Sequence, residues 1–265
     1  MFFSTIKSVY YLLPLLGLII GLFGVMLGGG GGFFLLPVLT LGLNVPAQTA
    51  VTTTLVSTLP ICAVGSWGHF KRGNINVKIG AVFALIGIIG AFAGACVTSI
   101  ITAGQLKTGF GIYTILIALN IVIASRQETK KKETEEKILK RKLLPLKRAK
   151  SGFFALTAGM ITGVFGTSGT APILASLFNM RIPLKVVIGT SLLVVFVNTL
   201  FAISAHFFVS RIDMTLVALL TTGSVLGAII GTKLLAKSNI EKSGKLVQYI
   251  YASVMAVIGL LMIAK

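Results

Sequence analysis

The chain has 265 residues, of which 55% are hydrophobic and only 11% charged, and its mean hydropathy is +0.97. A soluble domain carries about 25% charged residues, so these figures exclude a soluble enzyme or binding module and define an integral membrane protein. The net charge of +18 would suit nucleic acid, but 11 of the 24 Lys and Arg, with four of the six acids, lie between 126 and 150. That distribution is the mark of a solvated charged segment, and no nucleic-acid partner is expected.

In chain order, the uncharged stretches 9–27, 47–67, 79–101, 110–124, 152–165, 186–209, 214–230 and 246–264 all read as helices in lipid, where about 20 residues span the hydrocarbon core. The first, preceded by Lys7 alone, has no small-residue cleavage pattern and has a counterpart at 152–165. It therefore reads as a mature helix and not a removable signal. Two pieces, 33–43 and 171–180, would make helices of only about 15 Å, half the core thickness. Each follows a break: the glycine run 28–32 in one case, and Gly163-Val-Phe-Gly166-Thr167-Ser168-Gly169-Thr170 in the other. They are half-helices of interrupted spans, re-entrant segments or tilted short spans, and the residues leave these open. Cys62 and Cys96 fall within spans without metal-ligand spacing and read as packing residues.

The chain is written twice. Residues 46–94 recur loosely as 183–231 at a constant offset of 137, laying Pro46 on Pro183, Thr53 on Thr190, His69 on His206, and Gly90 and Gly94 on Gly227 and Gly231. The same offset places Gly29 and Gly32 on Gly166 and Gly169. The organisation expected is a first membrane repeat at 1–125, a basic cytoplasmic linker at 126–150 and a second repeat at 151–265. Loops that are basic in one copy are mostly neutral in the other. With five crossings per copy, inverted copies and a cytoplasmic linker, 20 of the 24 Lys and Arg fall inside; four crossings in parallel copies place 17 there. The positive-inside rule therefore favours inversion. The fold class expected is an all-α polytopic bundle of two inverted repeats with broken or re-entrant helices after glycine-rich segments, in the plasma membrane.

Chemistry is expected at the breaks. Glycine is a poor helix interior, and unpaired backbone at membrane depth is tolerated only where protein or a water-filled cavity covers it. Gly29, Gly30, Gly31 and Gly32 in the first break, and Gly166, Thr167, Ser168 and Gly169 in the second, are the candidate substrate-binding residues. Helices starting after such breaks offer free N–H groups that suit an anion; the competing role is close helix packing through small residues. The repeat-matched Thr53 and Thr190 are candidate hydroxyl donors, with bonding back along their own helix as the alternative. The polar cluster that follows each repeated proline also holds Gln48, Thr49, Thr52, Thr54 and Ser57 in copy one and Ser191 and Asn198 in copy two. For Gly90, Gly94, Gly227 and Gly231 packing is the favoured role. His69 and His206 lie near the ends of their spans and could gate or carry a proton. None of the six acids falls well inside a span, whereas cation transport and proton relays commonly use buried carboxylates. That gap favours an anionic substrate. No nucleophile–base pair, nucleotide loop or metal-ligand cluster is present, so no enzyme, cofactor or metal is expected.

At these residues the chain resembles the sulfite exporter TauE/SafE family, also called the toluene sulfonate uptake permease family. The likeness is carried by the glycine run followed by Phe33-Phe34-Leu35-Leu36-Pro37, then Pro46-Ala47-Gln48-Thr49-Ala50-Val51-Thr52-Thr53-Thr54, Gly65-Ser66-Trp67-Gly68-His69-Phe70 and Gly87-Ile-Ile-Gly90. The second copy repeats the theme more loosely, with Thr167 and Ser168 where the first has Gly30 and Gly31. The resemblance implies a permease for sulfite, a sulfonate or a related small organosulfur or carboxylate anion. The function expected is a secondary transporter that moves a small oxyanion by alternating access; a passive anion channel and a small-carboxylate permease are the alternatives. The partners expected are the anion and the bilayer, with a homo-oligomer left open.

Overall fold

The computed structural model describes residues 1–5, 8–131, 144–178, 180, 182–207, 211–237 and 244–264. Apart from one isolated bridge between Phe2 and Asp213, the regular structure among them is helical. A 3₁₀ turn, Ser8–Leu12, leads into α1 (Leu13–Met26); α2 (Gly32–Pro37) continues through a π-helical turn, Val38–Gly42. Then follow α3 (Ala47–Phe70), α4 (Val77–Ile100), α5 (Ala103–Lys131), α6 (Leu144–Phe165), α7 (Thr170–Phe178), α8 (Leu184–His206), α9 (Met214–Lys237) and α10 (Gly244–Ala264). Six of these, α1 with its 3₁₀ turn, α3, α4, α5, α8 and α9, are long and apolar enough to cross a membrane. α5 and α6 both run past the expected spans into the linker, where Lys, Glu, Ala and Leu are good helix formers that need no lipid. Residues 132–143 of the linker lie outside the described residues.

α3 and α8 are the most buried of the six long helices and form the centre. The others turn large apolar side chains such as Leu85, Ile89, Leu116 and Leu226 outward, as a lipid-facing surface requires. Both central helices begin after a proline, Pro46 and Pro183, whose missing N–H costs nothing at a helix start. Both cysteines are free, Cys62 buried and Cys96 exposed.

The residues that meet set the helix directions. Gly17 lies against Leu220 and Ser224, and Gly231 against Leu22, so α1 and α9 are parallel. Gly159 lies against Gly87, and Gly163 against Ala91 and Ala95, so α6 and α4 are parallel as well. Gly65 faces Leu192 while Gly189 faces His69, so α3 runs antiparallel to α8. α5 ends and α6 begins at one end of the bundle, called here the linker end. α1, α3 and α9 run towards it; α4, α6 and α8 run away from it. Because α1 and α3 point the same way, the short segment 32–42 must carry the chain back between them. The expected half-helices are therefore the return arms of two hairpins. α1 and α2 enter from one end, α6 and α7 from the linker end, and each turns at its break.

Glycines make the close approach in the α1–α9 and α4–α6 seams possible. A Cβ at Gly159 would collide with the carbonyl of Gly87, one at Gly90 with that of Leu156, one at Gly223 with that of Pro14, and one at Gly227 with that of Leu18. Gly90 and Gly227, offset mates in sequence, are thus packing residues, in the way that small residues let helix backbones touch in lipid.

Candidate functional site

The two breaks meet at the centre of the bundle. In the first, Gly28, Gly30 and Gly31 hold φ of 73°, 65° and 81°, the left-handed region that favours glycine, and reverse the chain between α1 and α2. In the second, Gly166 at φ 64° does the same before α7. Gly29 is open to the other break: a Cβ there would lie 2.9 Å from Thr170 Oγ1 and 3.3 Å from Ser168 Oγ. A Cβ at Gly32 would lie 3.0 Å from Thr167 Cα and 3.4 Å from Thr58 Oγ1. The level is set by α3, since Gly30 faces Thr58 and Cys62 near the middle of that helix. Pro60, in the same stretch, supplies no N–H to the carbonyl of Val56.

Most of the break's backbone donors are already used. The N–H groups of Gly28, Gly29 and Gly30 bond back to the carbonyls of Val25 and Gly24. The Gly169 N–H donates to Thr162 Oγ1, and the Thr170 N–H to the Ser168 carbonyl. The hydroxyls are different. Thr167, Ser168 and Thr170 of the second break and Thr54, Ser57 and Thr58 of α3 are buried, and their side-chain oxygens have no hydrogen-bond partner among the described residues. Asn198 and Thr199 on α8 share this condition. Buried polar side-chain atoms are in large majority paired, and leaving one unpaired costs about 1–3 kcal/mol. So many in one protein, several of them at the junction of two broken helices, is the composition of a polar binding site.

The structure thus divides the expected residues. Gly29, Gly32, Thr167 and Ser168 face the junction. Gly30 and Gly31 turn the chain and pack against Cys62 and Ile20; Gly166 and Gly169 pack against the backbone of Val51 and Ala158. Thr58 and Thr170 belong at the junction although the sequence did not single them out as site residues. Thr58 could have been found one turn after Thr54 on the same face of a helix.

Thr53 and Thr190 have another part. The Thr53 oxygen accepts from the Asp213 N–H at 3.3 Å, and the Thr190 oxygen from the Asn76 N–H at 3.0 Å. Asn76 and Asp213 are themselves 137 apart, so the two bonds are offset mates exchanged between copies. Each partner also caps a helix: Asn76 Oδ1 accepts from Ile79 N–H, and Asp213 Oδ1 from Thr215 N–H. The Asp213 carboxylate, expected outside the spans, sits 3% exposed at the start of α9. Thr53→Val or Thr190→Val strands one capping N–H, and each is expected to cost about 1–3 kcal/mol. Thermal unfolding in detergent measures it; melting curves equal to wild type would show that the exchanged bonds are not made.

The histidines also part company. His206 Nε2 is 2.6 Å from the Gly163 carbonyl and is tied to α6. His69, also buried, has no partner at either ring nitrogen among the described residues.

These features define a polytopic α-helical membrane protein in which two helical hairpins meet head to head around unpartnered hydroxyls. The profile of the sulfite exporter TauE/SafE family matches residues 13–262, and the chain belongs to that family. Among its relatives, the Probable membrane transporter protein YdhB of Bacillus subtilis is 27% identical over 83% of this chain and 86% of its own length. The Probable membrane transporter protein YunE of the same species is 24% identical over 94% of this chain and 96% of its own. The Probable membrane transporter protein MJ0441 of Methanocaldococcus jannaschii is 30% identical over 68% and 67%. No solved structure matches the chain.

Proposed function

We propose that the protein is a secondary transporter for a small oxyanion, with sulfite or an organosulfonate as the favoured substrate, working by alternating access in the plasma membrane with its linker cytoplasmic. The observation that carries this is the set of unpartnered buried hydroxyls at the junction of the two breaks, around Gly29 and Gly32. Hydroxyls donate to an oxyanion without requiring a counter-charge, and the one buried acid among the described residues, Asp213, is occupied at a helix start away from the junction. The family's printed description supports sulfite in particular. On this reading the copies are inverted repeats about a two-fold axis in the membrane plane, as in many transporters. The opposed directions of α3 and α8 and the exchanged bonds of Thr53 and Thr190 support that. Gly29, Gly32, Thr58, Thr167, Ser168 and Thr170 would line the shared site, with Thr53 and Thr190 securing the helix starts beside it.

The test is flux in proteoliposomes with sulfite, methanesulfonate, sulfate and acetate. Saturable transport of at least one oxyanion, stimulated by the same anion on the far side, is expected. Failure to move any of the four sinks the proposal, and conductance far above carrier turnover would make the protein a channel.

A further inference from the structure

The two histidines coincide under the repeat, yet only His206 is anchored, to the Gly163 carbonyl. His69 is 3% exposed with both ring nitrogens unpartnered. Its surroundings are cationic. The ring packs against Gly189 on the first turns of α8: a Cβ at Gly189 would lie 2.9 Å from His69 Cβ and 3.1 Å from His69 Cγ. Lys185 is one turn earlier on the same face of α8, and both it and Arg72 are near enough to act electrostatically on the ring. Both cations are held by carbonyls, not carboxylates: Arg72 Nη1 donates to the Gly68 oxygen at 2.8 Å, and Lys185 Nζ to the Ala236 oxygen at 3.2 Å. Among the described residues, neither cation is paired with a carboxylate. The helix directions put this group at the linker end, together with Lys71, Lys78 and Lys233; Lys107 and Arg211 are the cations with described side chains at the other end.

A buried imidazole that can donate, flanked by two cations held only by carbonyls, is suited to an anion. We propose that His69, with Arg72 and Lys185, forms a second anion site at the linker end of the bundle, where the substrate oxyanion is held as it passes between the junction and that side. It rests on the anion-permease reading. His206, tied to α6 and without such cations beside it, provides no equivalent at the far end, so the two ends of the path differ in affinity even though the copies share one plan.

The full chain is purified and titrated calorimetrically with sodium sulfite, methanesulfonate, sulfate and acetate at constant ionic strength. It is then reconstituted in vesicles sorted by an affinity tag in the linker. His69→Ala is expected to weaken anion binding about tenfold, as loss of a hydrogen bond to a charged group does. It should raise the half-saturating concentration of sulfite offered at the linker end by the same factor, leaving the opposite end within about twofold. Lys185→Gln, which leaves the packed ring untouched, shifts the same end in the same direction and guards against a folding defect in the first variant; Lys107→Gln shifts neither. Equal shifts at both ends, or none, overturn the second site and leave the permease reading standing. His69-dependent binding without flux of any anion keeps the site and removes the permease. A wild-type protein that neither binds nor moves any of the four overturns both.

Discussion

Valine at Gly29 is expected to lower oxyanion flux by about a hundredfold, with yield and melting temperature close to wild type. The backbone at Gly29 lies outside the left-handed range, unlike that of Gly28, Gly30 and Gly31, so an L side chain is accepted without strain. What a Cβ meets there is side chain and not backbone: Thr170 Oγ1 at 2.9 Å and Ser168 Oγ at 3.3 Å, neither held by a hydrogen bond among the described residues. The added methyl groups would occupy the space in which those hydroxyls meet a guest. Losing two hydrogen bonds of about 1.4 kcal/mol each corresponds to the hundredfold fall. Thr58→Val, which keeps the shape and removes one hydroxyl, should lose about tenfold by the same reasoning. Flux in proteoliposomes measures both. Wild-type transport in Gly29→Val would place the path away from the junction.

Gly159→Val should do the reverse, lowering the stability of the fold and not blocking the junction. Its Cβ would collide with the backbone carbonyl of Gly87, an obstacle that cannot rotate away. Gly90 against Leu156 and Gly163 against Ala91 close the same seam one turn to either side, so α4 and α6 would have to separate along several residues. Overpacking of this kind costs about 3 kcal/mol, the upper part of the usual range, because backbone must move. The seam holds helices in lipid, where dispersion and close approach replace the hydrophobic effect. Size-exclusion profile and melting temperature in detergent report the result. A monodisperse protein that melts with the wild type would show that α4 and α6 do not pack through these glycines. Together the two variants separate the roles that glycine plays here, one opening a site and the other joining helices.

Much of this was legible in the residues. Ten apolar segments, two of them short, appear where the helices are. Thr53 and Thr190, matched at the offset of 137, both accept from the N–H of a residue that caps a helix, and those two residues are 137 apart as well. Both breaks were placed correctly because a glycine run and a Gly-Thr-Ser-Gly run are poor helix interiors by local energetics alone. The fate of individual residues in the breaks was not legible. Gly29 and Gly31 are two apart in one run, yet one faces Thr170 across the bundle while the other packs on Ile20 of its own hairpin.

The sequence by itself determined the membrane setting, the helical class and the segregation of charge. Each of these depends on composition or short-range spacing, which add up along the chain whatever its path. Tertiary structure alone decided that the short segments return to the end they came from, and that the breaks meet around Thr58, Thr167, Ser168 and Thr170. It also decided that Thr53 and Thr190 bind the helix starts of the opposite copy, and that His206 is tied while His69 is free. The exchanged bonds and the contacts between the two breaks join residues more than 100 positions apart, and the His206 bond spans 43. In lipid, where Leu against Leu is no better than Leu against a hydrocarbon tail, the choice among them is made by close backbone approach and by hydrogen bonds between helices. Glycines mark in the sequence where backbones can touch, but not which helix they touch.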